Sequence, residues 1–250
     1  MDRYDLFDLC VAEAERLMPF VYAVHGRSPR VLREDFAGSA SLARQWSSSV
    51  KGGRAIAVDR DAEPLERAQA TVQCVVSDVI KCRERADVVA WTNFCVGELH
   101  TRQELLKHLR HARRCLLPGG ALVMDIYGGS HAMERGLHLR ELRGPSGEFI
   151  TYTFEQRHTN AFTGRVVNAL HFKVQPKGSP RAKHFRDAFV YDWRLWSIPE
   201  LADAVLEAGF PSSEVHDRAG VAMDHRGKIR KTAAPAPDSD DWVAFVVARA

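Results

Sequence analysis

The feature that most restricts this chain is a rhythm between residues 30 and 127, where short apolar runs end on a polar or small residue and yield to segments of helical period. Residues 30–36 read as a strand that stops at Ala37-Gly38-Ser39, after which Leu42, Ala43 and Trp46 recur at helical spacing. Residues 54–58 form a second strand closed by Asp59, followed by a helix containing residues 64–68. A third strand at 72–77 is closed by Asp78, and a fourth at 86–91 ends at Thr92-Asn93-Phe94. Thr101-Arg102-Gln103-Glu104 has the form of a capping box, in which the Thr hydroxyl and the Glu carboxylate satisfy free amides at a helix start. Leu105, Leu106 and Leu109 give that helix a buried stripe, and Pro118-Gly119-Gly120 is expected to end it. Residues 121–127 are almost continuously apolar, as in a strand covered on both faces. This alternation predicts βαβ crossovers and an α/β, doubly wound sheet. Ligands of such sheets lie beyond the carboxyl ends of the strands, so the loops at Phe36, Asp59, Asp78, Asn93 and Tyr127 should converge.

Ahead of this region, residues 4–25 carry Leu6, Leu9, Cys10, Ala14, Leu17 and Met18 at helical spacing, which predicts one amphipathic helix in an N-terminal extension over 1–28. After Gly128 the pattern changes to strands at 149–156, 166–175 and 188–193, the first two joined by a turn at 160–164. These predict an antiparallel β insertion over 145–195. Ser197-Ile198-Pro199-Glu200 is a second capping box, opening a helix through Leu201, Val205 and Leu206 that stops at Gly209. The remainder of 197–250 offers strands at 214–216 and 242–247, separated by a polar, proline-containing loop. All of these parts are read as one domain spanning 1–250.

The balance of 35 Lys and Arg against 32 Asp and Glu leaves a net charge of +3, too small to argue for nucleic acid by itself. An apolar fraction of 45% with 27% charged residues excludes a disordered, collagen-like or membrane-spanning chain. The start, Met1-Asp2-Arg3-Tyr4-Asp5, lacks the basic-then-apolar pattern of a secretory leader, so a cytoplasmic chain is expected. Five cysteines without a CxxC pair then read as reduced thiols.

The pattern Glu34-x-Phe36-x-Gly38-x-Ala40 lies at the first strand-to-helix turn, and Asp59 closes the next strand. It resembles the cofactor-binding half of the class I S-adenosylmethionine-dependent methyltransferases of small-molecule type, whose first motif has an acidic residue followed by glycine at alternate positions. The resemblance covers residues 30–127 well and the insertion and tail loosely. Phe36 stands at the first glycine and Ala40 at the third, while Gly38 keeps the central position, where backbone approaches ligand. The resemblance implies a seven-stranded mixed, Rossmann-like sheet, S-adenosyl-L-methionine as cofactor, and an insertion that caps the acceptor pocket. The rival is a nicotinamide dinucleotide site, which uses a similar glycine turn and acid. A pyrophosphate there would be repelled by Glu34 and obstructed by Phe36, whereas a sulfonium and an ammonium favour a nearby acid.

By the same resemblance, Glu34, Phe36, Ala37, Gly38 and Ser39 form the cofactor turn, and Asp59, beside Arg60, accepts from the two ribose hydroxyls. Asp78 meets the adenine amino group with the Val79 amide at the ring edge, Asn93 and Phe94 lie beside the methionine part, and Tyr4 resembles a tyrosine that covers the cofactor. The bland alternatives are a surface acid for Asp59, a helix cap for Asp78 and a packed helix residue for Tyr4. Methyl transfer is an in-line displacement at an activated carbon, so alignment does most of the work, and a base helps only if the acceptor must lose a proton. Glu98, His100 and Tyr127 are placed by sequence to reach an acceptor, and Tyr191, Trp193 and Trp196 are candidates either for its aromatic wall or for core. The expected acceptor is a small molecule methylated at N or O. Alternatives are an RNA or protein methyltransferase using the basic helix of Arg102, Lys107, Arg110, Arg113 and Arg114, and a cofactor-binding protein without catalysis.

Three other patterns are discounted. His108, His111 and Cys115 suggest zinc but lack a fourth ligand, so no metal is expected. Cys95 follows Phe94 where cytosine methyltransferases have proline, and Thr92-Asn93-Phe94-Cys95 lacks the paired prolines of amino-methylating nucleic-acid enzymes. Arg226, Lys228, Arg230 and Lys231 read as a solvated loop, and neither nucleic acid nor membrane is an expected partner.

Overall fold

A computed structural model describes residues 1–230 and 240–250; Lys231 and most of the proline-containing loop lie outside the described residues. Numbered in chain order, strands β1 (Val31–Asp35), β2 (Arg54–Asp59), β3 (Gln73–Val76), β4 (Ala86–Trp91) and β5 (Leu116–Gly128) pair in parallel. The chain returns later to add β10 (Ser212–Asp217) and β11 (Trp242–Arg249), giving the seven-stranded order β10-β11-β5-β4-β1-β2-β3 with β11 antiparallel to both neighbours. Alternation along the strands divides the core. Val89, Trp91, Leu122 and Met124 face helices α5 (Arg102–Cys115) and α6 (Ile198–Glu207), whereas Val88, Ala90, Ala121 and Val123 face α2 (Ala14–Val24) and α3 (Ser41–Ser49). The sheet is thus doubly wound. No helix among the described residues is long and apolar enough to cross a membrane.

Four details differ from the sequence reading. The expected single N-terminal helix is broken into α1 (Arg3–Phe7), a wide π turn at Asp8–Ala12, and α2, with Glu13 between them in the left-handed region at φ 43°. Tertiary partners compete with the helix ladder here: Ser39 and Arg44 hold the Asp8 carboxylate, and Arg140 donates to the Cys10 carbonyl. The helix after β2 shrinks to the single turn α4 (Ala62–Leu65), beyond which only Ala68 and Val72 are buried before β3. Pro118-Gly119-Gly120 does not end α5. That helix stops at Cys115, Leu116 already pairs with Ala86, and the Pro-Gly segment is absorbed in a register shift before Ala121 meets Val88.

The insertion begins earlier than residue 145 and has a fourth strand. β6 (Gly136–Arg143), β7 (Phe149–Asn160), β8 (Arg165–Gln175) and β9 (Lys183–Arg194) form an antiparallel meander in that order. β6 is a poor sequence signal because Leu137 and Leu139, its alternating apolar residues, are exposed. Ile150, Leu170, Phe172, Val174 and Ala188 of this second sheet bury Leu6 and Cys10, so the N-terminal segment is wedged between the sheets. The other anchor is Gly97, in the turn Cys95–Glu98 after β4, where an added Cβ would lie 2.8 Å from the Trp193 Cβ.

Candidate functional site

The loop after β1 turns through three left-handed residues, Phe36 (φ 56°), Gly38 (φ 51°) and Ala40 (φ 54°). A Cβ built on Gly38 would meet nothing within 4 Å, so the backbone there borders open space. Asp59, at the end of β2, fixes this loop: one carboxylate oxygen accepts from the Gly38 N–H at 2.8 Å and the other from the Asp61 N–H at 2.9 Å. Glu34 works from behind. Its carboxylate accepts from the Ala43 N–H at 2.8 Å and serves as the cap that α3 lacks, since Ala40 occupies the N-cap position. Full burial pushes its pKa up to about 8.

On the opposite face of β1, Arg33 and Asp35 form a fully buried ion pair at 2.6 Å. The Arg33 guanidinium also donates to the carbonyls of Val79, Cys82 and Glu84, and Trp91 Nε1 donates to Asp35 at 3.0 Å. A buried cation saturated in this way fixes the loop after β3. That loop begins at Asp78, whose side chain accepts from the Ile80 N–H.

These loops surround a cleft of about 730 Å³ at the carboxyl ends of β1–β4. Of the residues singled out from the sequence, Tyr4, Phe36, Ala37, Gly38, Asp59, Arg60, Asp78, Val79, Asn93, Glu98, Tyr191 and Trp193 line it. Six do not. Glu34 is buried behind the loop, and Ser39 turns its hydroxyl to Asp8. Phe94 packs its ring against Tyr127 in a tilted arrangement, 4.9 Å between ring centroids. His100 is bonded to the Asp192 carbonyl at 2.7 Å, so it ties β9 down. Tyr127 is tied to β8, its hydroxyl accepting from Asn168 at 2.9 Å, and burial pushes its pKa up to about 12. Trp196 donates to the Leu99 carbonyl at 3.0 Å within the core.

The cleft also holds residues that the sequence reading missed. Phe7 follows Tyr4 by three positions and shares its helix face, and Phe189 shares a strand face with Tyr191 and Trp193; periodicity could have found both. His108 and Lys107 come from α5. His108 therefore faces the cleft, whereas His111 is buried with its Nε2 2.8 Å from the Cys82 carbonyl. Carboxylates dominate the charged lining: Asp59, Asp61, Asp78, Glu98, Glu104 and Asp187 outnumber Arg3, Arg60 and Lys107. Arg60 reaches Glu98 at 3.4 Å, yet burial still raises the Glu98 pKa. The negative charge that the sequence reading placed at Glu34 is carried on the cleft wall by other carboxylates.

Asn93 and Phe94 both adopt left-handed backbone, φ 59° and 63°. The Asp125 carboxylate holds this turn by accepting from both amides, at 2.9 Å and 2.7 Å. Burial pushes the Asp125 pKa up to about 7. An acid in the apolar run of β5 was the available signal for this residue.

No family model matches the chain, and no curated protein matches it by sequence. Solved structures do. A S-adenosylmethionine-dependent methyltransferase from Clostridium acetobutylicum superposes with a TM-score of 0.70 at 12% identity, over 97% of this chain and 96% of that one. The sugar N-methyltransferase KedS8 from Streptoalloteichus gives 0.66 at 17% identity, over 98% and 92%. The amino pentose methyltransferase CalS10 from Micromonospora echinaspora, solved with S-adenosylmethionine bound, gives 0.67 at 14% identity, over 95% and 90%. With its strand order, its loop geometry and these similarities, the chain has the fold of the class I S-adenosylmethionine-dependent methyltransferases.

Proposed function

We propose that the protein is a S-adenosylmethionine-dependent methyltransferase that acts on a small-molecule N or O acceptor, with the second sheet as a cap on a single catalytic unit. The observation that carries this reading is the acidic cleft at the carboxyl ends of the parallel strands, with Asp59 pinned beside the open Gly38 backbone. Its residues fit the cofactor: carboxylates suit a cation, and the absence of a side chain at Gly38 leaves room for close approach. S-adenosylmethionine, when bound, supplies a methyl group already activated by its sulfonium.

The chain's own part is binding and alignment. Asp59 and Arg60 would hold the ribose, Asp78 and Val79 the adenine, and the Phe36–Gly38 loop with Asn93 the methionine part. Tyr4 and Phe7 close the cleft from the N-terminal side, held by Arg67 on Asp2 and Asp5 and by Arg3 on Glu63. Glu98, a carboxylate on the cleft wall whose pKa desolvation raises, is suited to hold a proton. A small-molecule acceptor is supported by the similarity to KedS8, a sugar N-methyltransferase, and CalS10, an amino pentose methyltransferase. It also agrees with the basic helix, where Arg102 and Arg110 are both engaged by Glu207 of α6. The test is transfer of radiolabelled methyl from S-adenosylmethionine to a pooled metabolite extract and, in parallel, to RNA. Label in small molecules supports the reading; label only in RNA, or no binding of S-adenosylmethionine in calorimetry, overturns it.

A further inference from the structure

Beyond Asn93 lies a second chamber of about 620 Å³, bounded by the carboxyl ends of β4 and β5, the start of β11, the turn at Asp8–Ala12 and the β6–β7 edge of the second sheet. Asn93 is the residue that lines both this chamber and the cofactor cleft. Position alone therefore makes the chamber a neighbour of the reacting end of the cleft.

Its charge is opposite to that of the cleft. Arg16, Arg140 and Arg218 line it against Glu13 and Asp125. Arg16 and Arg140 both converge on Glu13, at 3.0 Å and 3.3 Å, so one carboxylate answers two guanidinium groups. Arg218 has no ion pair among the described residues. The Asp125 carboxylate is already engaged, its two oxygens accepting from the Asn93 and Phe94 amides. The remaining wall of the chamber is largely apolar and includes the rings of Phe94 and Phe154 and the side chain of Val243. A further cavity of about 340 Å³ shares those three residues and Arg218, and extends the space toward Trp242.

We infer that this chamber receives the methyl acceptor, and that the acceptor is a flat, apolar molecule bearing an acidic group whose charge is met by Arg218. The inference rests on the methyl-transfer reading of the adjoining cleft. Two adjoining spaces of opposite charge keep a cationic cofactor and an anionic partner from exchanging places, because the partner's acid would face Asp59, Asp61 and Glu98 in the cleft. The aromatic walls favour a planar body.

The full chain, first titrated with S-adenosylhomocysteine and then saturated with it, is titrated by calorimetry with naphthoate and with the neutral naphthylmethanol. Naphthoate is expected to bind at least about tenfold more tightly than the alcohol, and Arg218→Ala to remove about tenfold of that affinity with S-adenosylhomocysteine binding unchanged. Phe154→Ala should weaken both probes alike. Equal affinity for the two probes, an unaffected Arg218→Ala variant, or no naphthoate binding to the loaded chain overturns this inference alone. Failure of S-adenosylhomocysteine to bind overturns the methyl-transfer reading beneath it.

Discussion

Both Asp59 oxygens already accept backbone amides, from Gly38 and Asp61, so the carboxylate is oriented before any ligand arrives. Asp59→Ala is expected to weaken S-adenosylhomocysteine binding at least about tenfold in calorimetry, which corresponds to about 1.4 kcal/mol, while circular dichroism still reports a folded chain. Unchanged affinity would remove Asp59 from the cofactor site. Glu34 makes a different prediction. Its pKa rises from 4.5 to about 8 because the folded protein buries it, so the native state holds a proton that the unfolded chain releases across that window. The stability this contributes is full below about pH 4.5 and is lost as pH rises through about 8. Glu34→Gln keeps an oxygen for the Ala43 N–H and does not titrate. Relative to that variant, the wild type should lose roughly 2–4 kcal/mol in denaturant unfolding between about pH 5 and pH 8. A pH-independent difference would contradict the buried placement.

At the level of elements, the second sheet meets the first at Gly97, where Trp193 leaves no room for a side chain. Gly97→Ala should cost about 1–3 kcal/mol and lower the melting temperature by several degrees. It should also weaken S-adenosylhomocysteine binding, because Tyr191 and Trp193 would shift with β9. Retention of both would detach the cap from the cleft. Elements of this kind were unevenly legible in the sequence. The five parallel strands and both capping boxes could be read from period and side-chain chemistry because local pattern and burial agree there. The N-terminal break could not, since it depends on Ser39, Arg44 and Arg140, distant residues that outcompete the helix ladder. The strand β6 was missed because its alternation faces solvent on both sides. Residues of the candidate cleft divide the same way: Asp59 and Asp78 end strands, so their place on its wall was legible, whereas His100, Tyr127 and Trp196 are near the loops in sequence but are turned aside by partners on β9, β8 and the Leu99 carbonyl.

For the molecule as a whole, two sheets and an N-terminal strap enclose one acidic and one basic space that meet at Asn93. Binding limited to the native state adds stability by mass action, so S-adenosylhomocysteine at about a hundred times its Kd should stabilise the chain by about 2.7 kcal/mol, visible as a raised melting temperature. The Asp59→Ala variant should show a smaller rise at the same ligand concentration. The central claim is that the cleft beside Gly38 accepts a cationic sulfur cofactor and refuses a dinucleotide. Calorimetric titration of the full chain with S-adenosylmethionine and, separately, with NADH tests it: saturable binding of the first with none of the second is the predicted result, and tight NADH binding with no response to S-adenosylmethionine would contradict it.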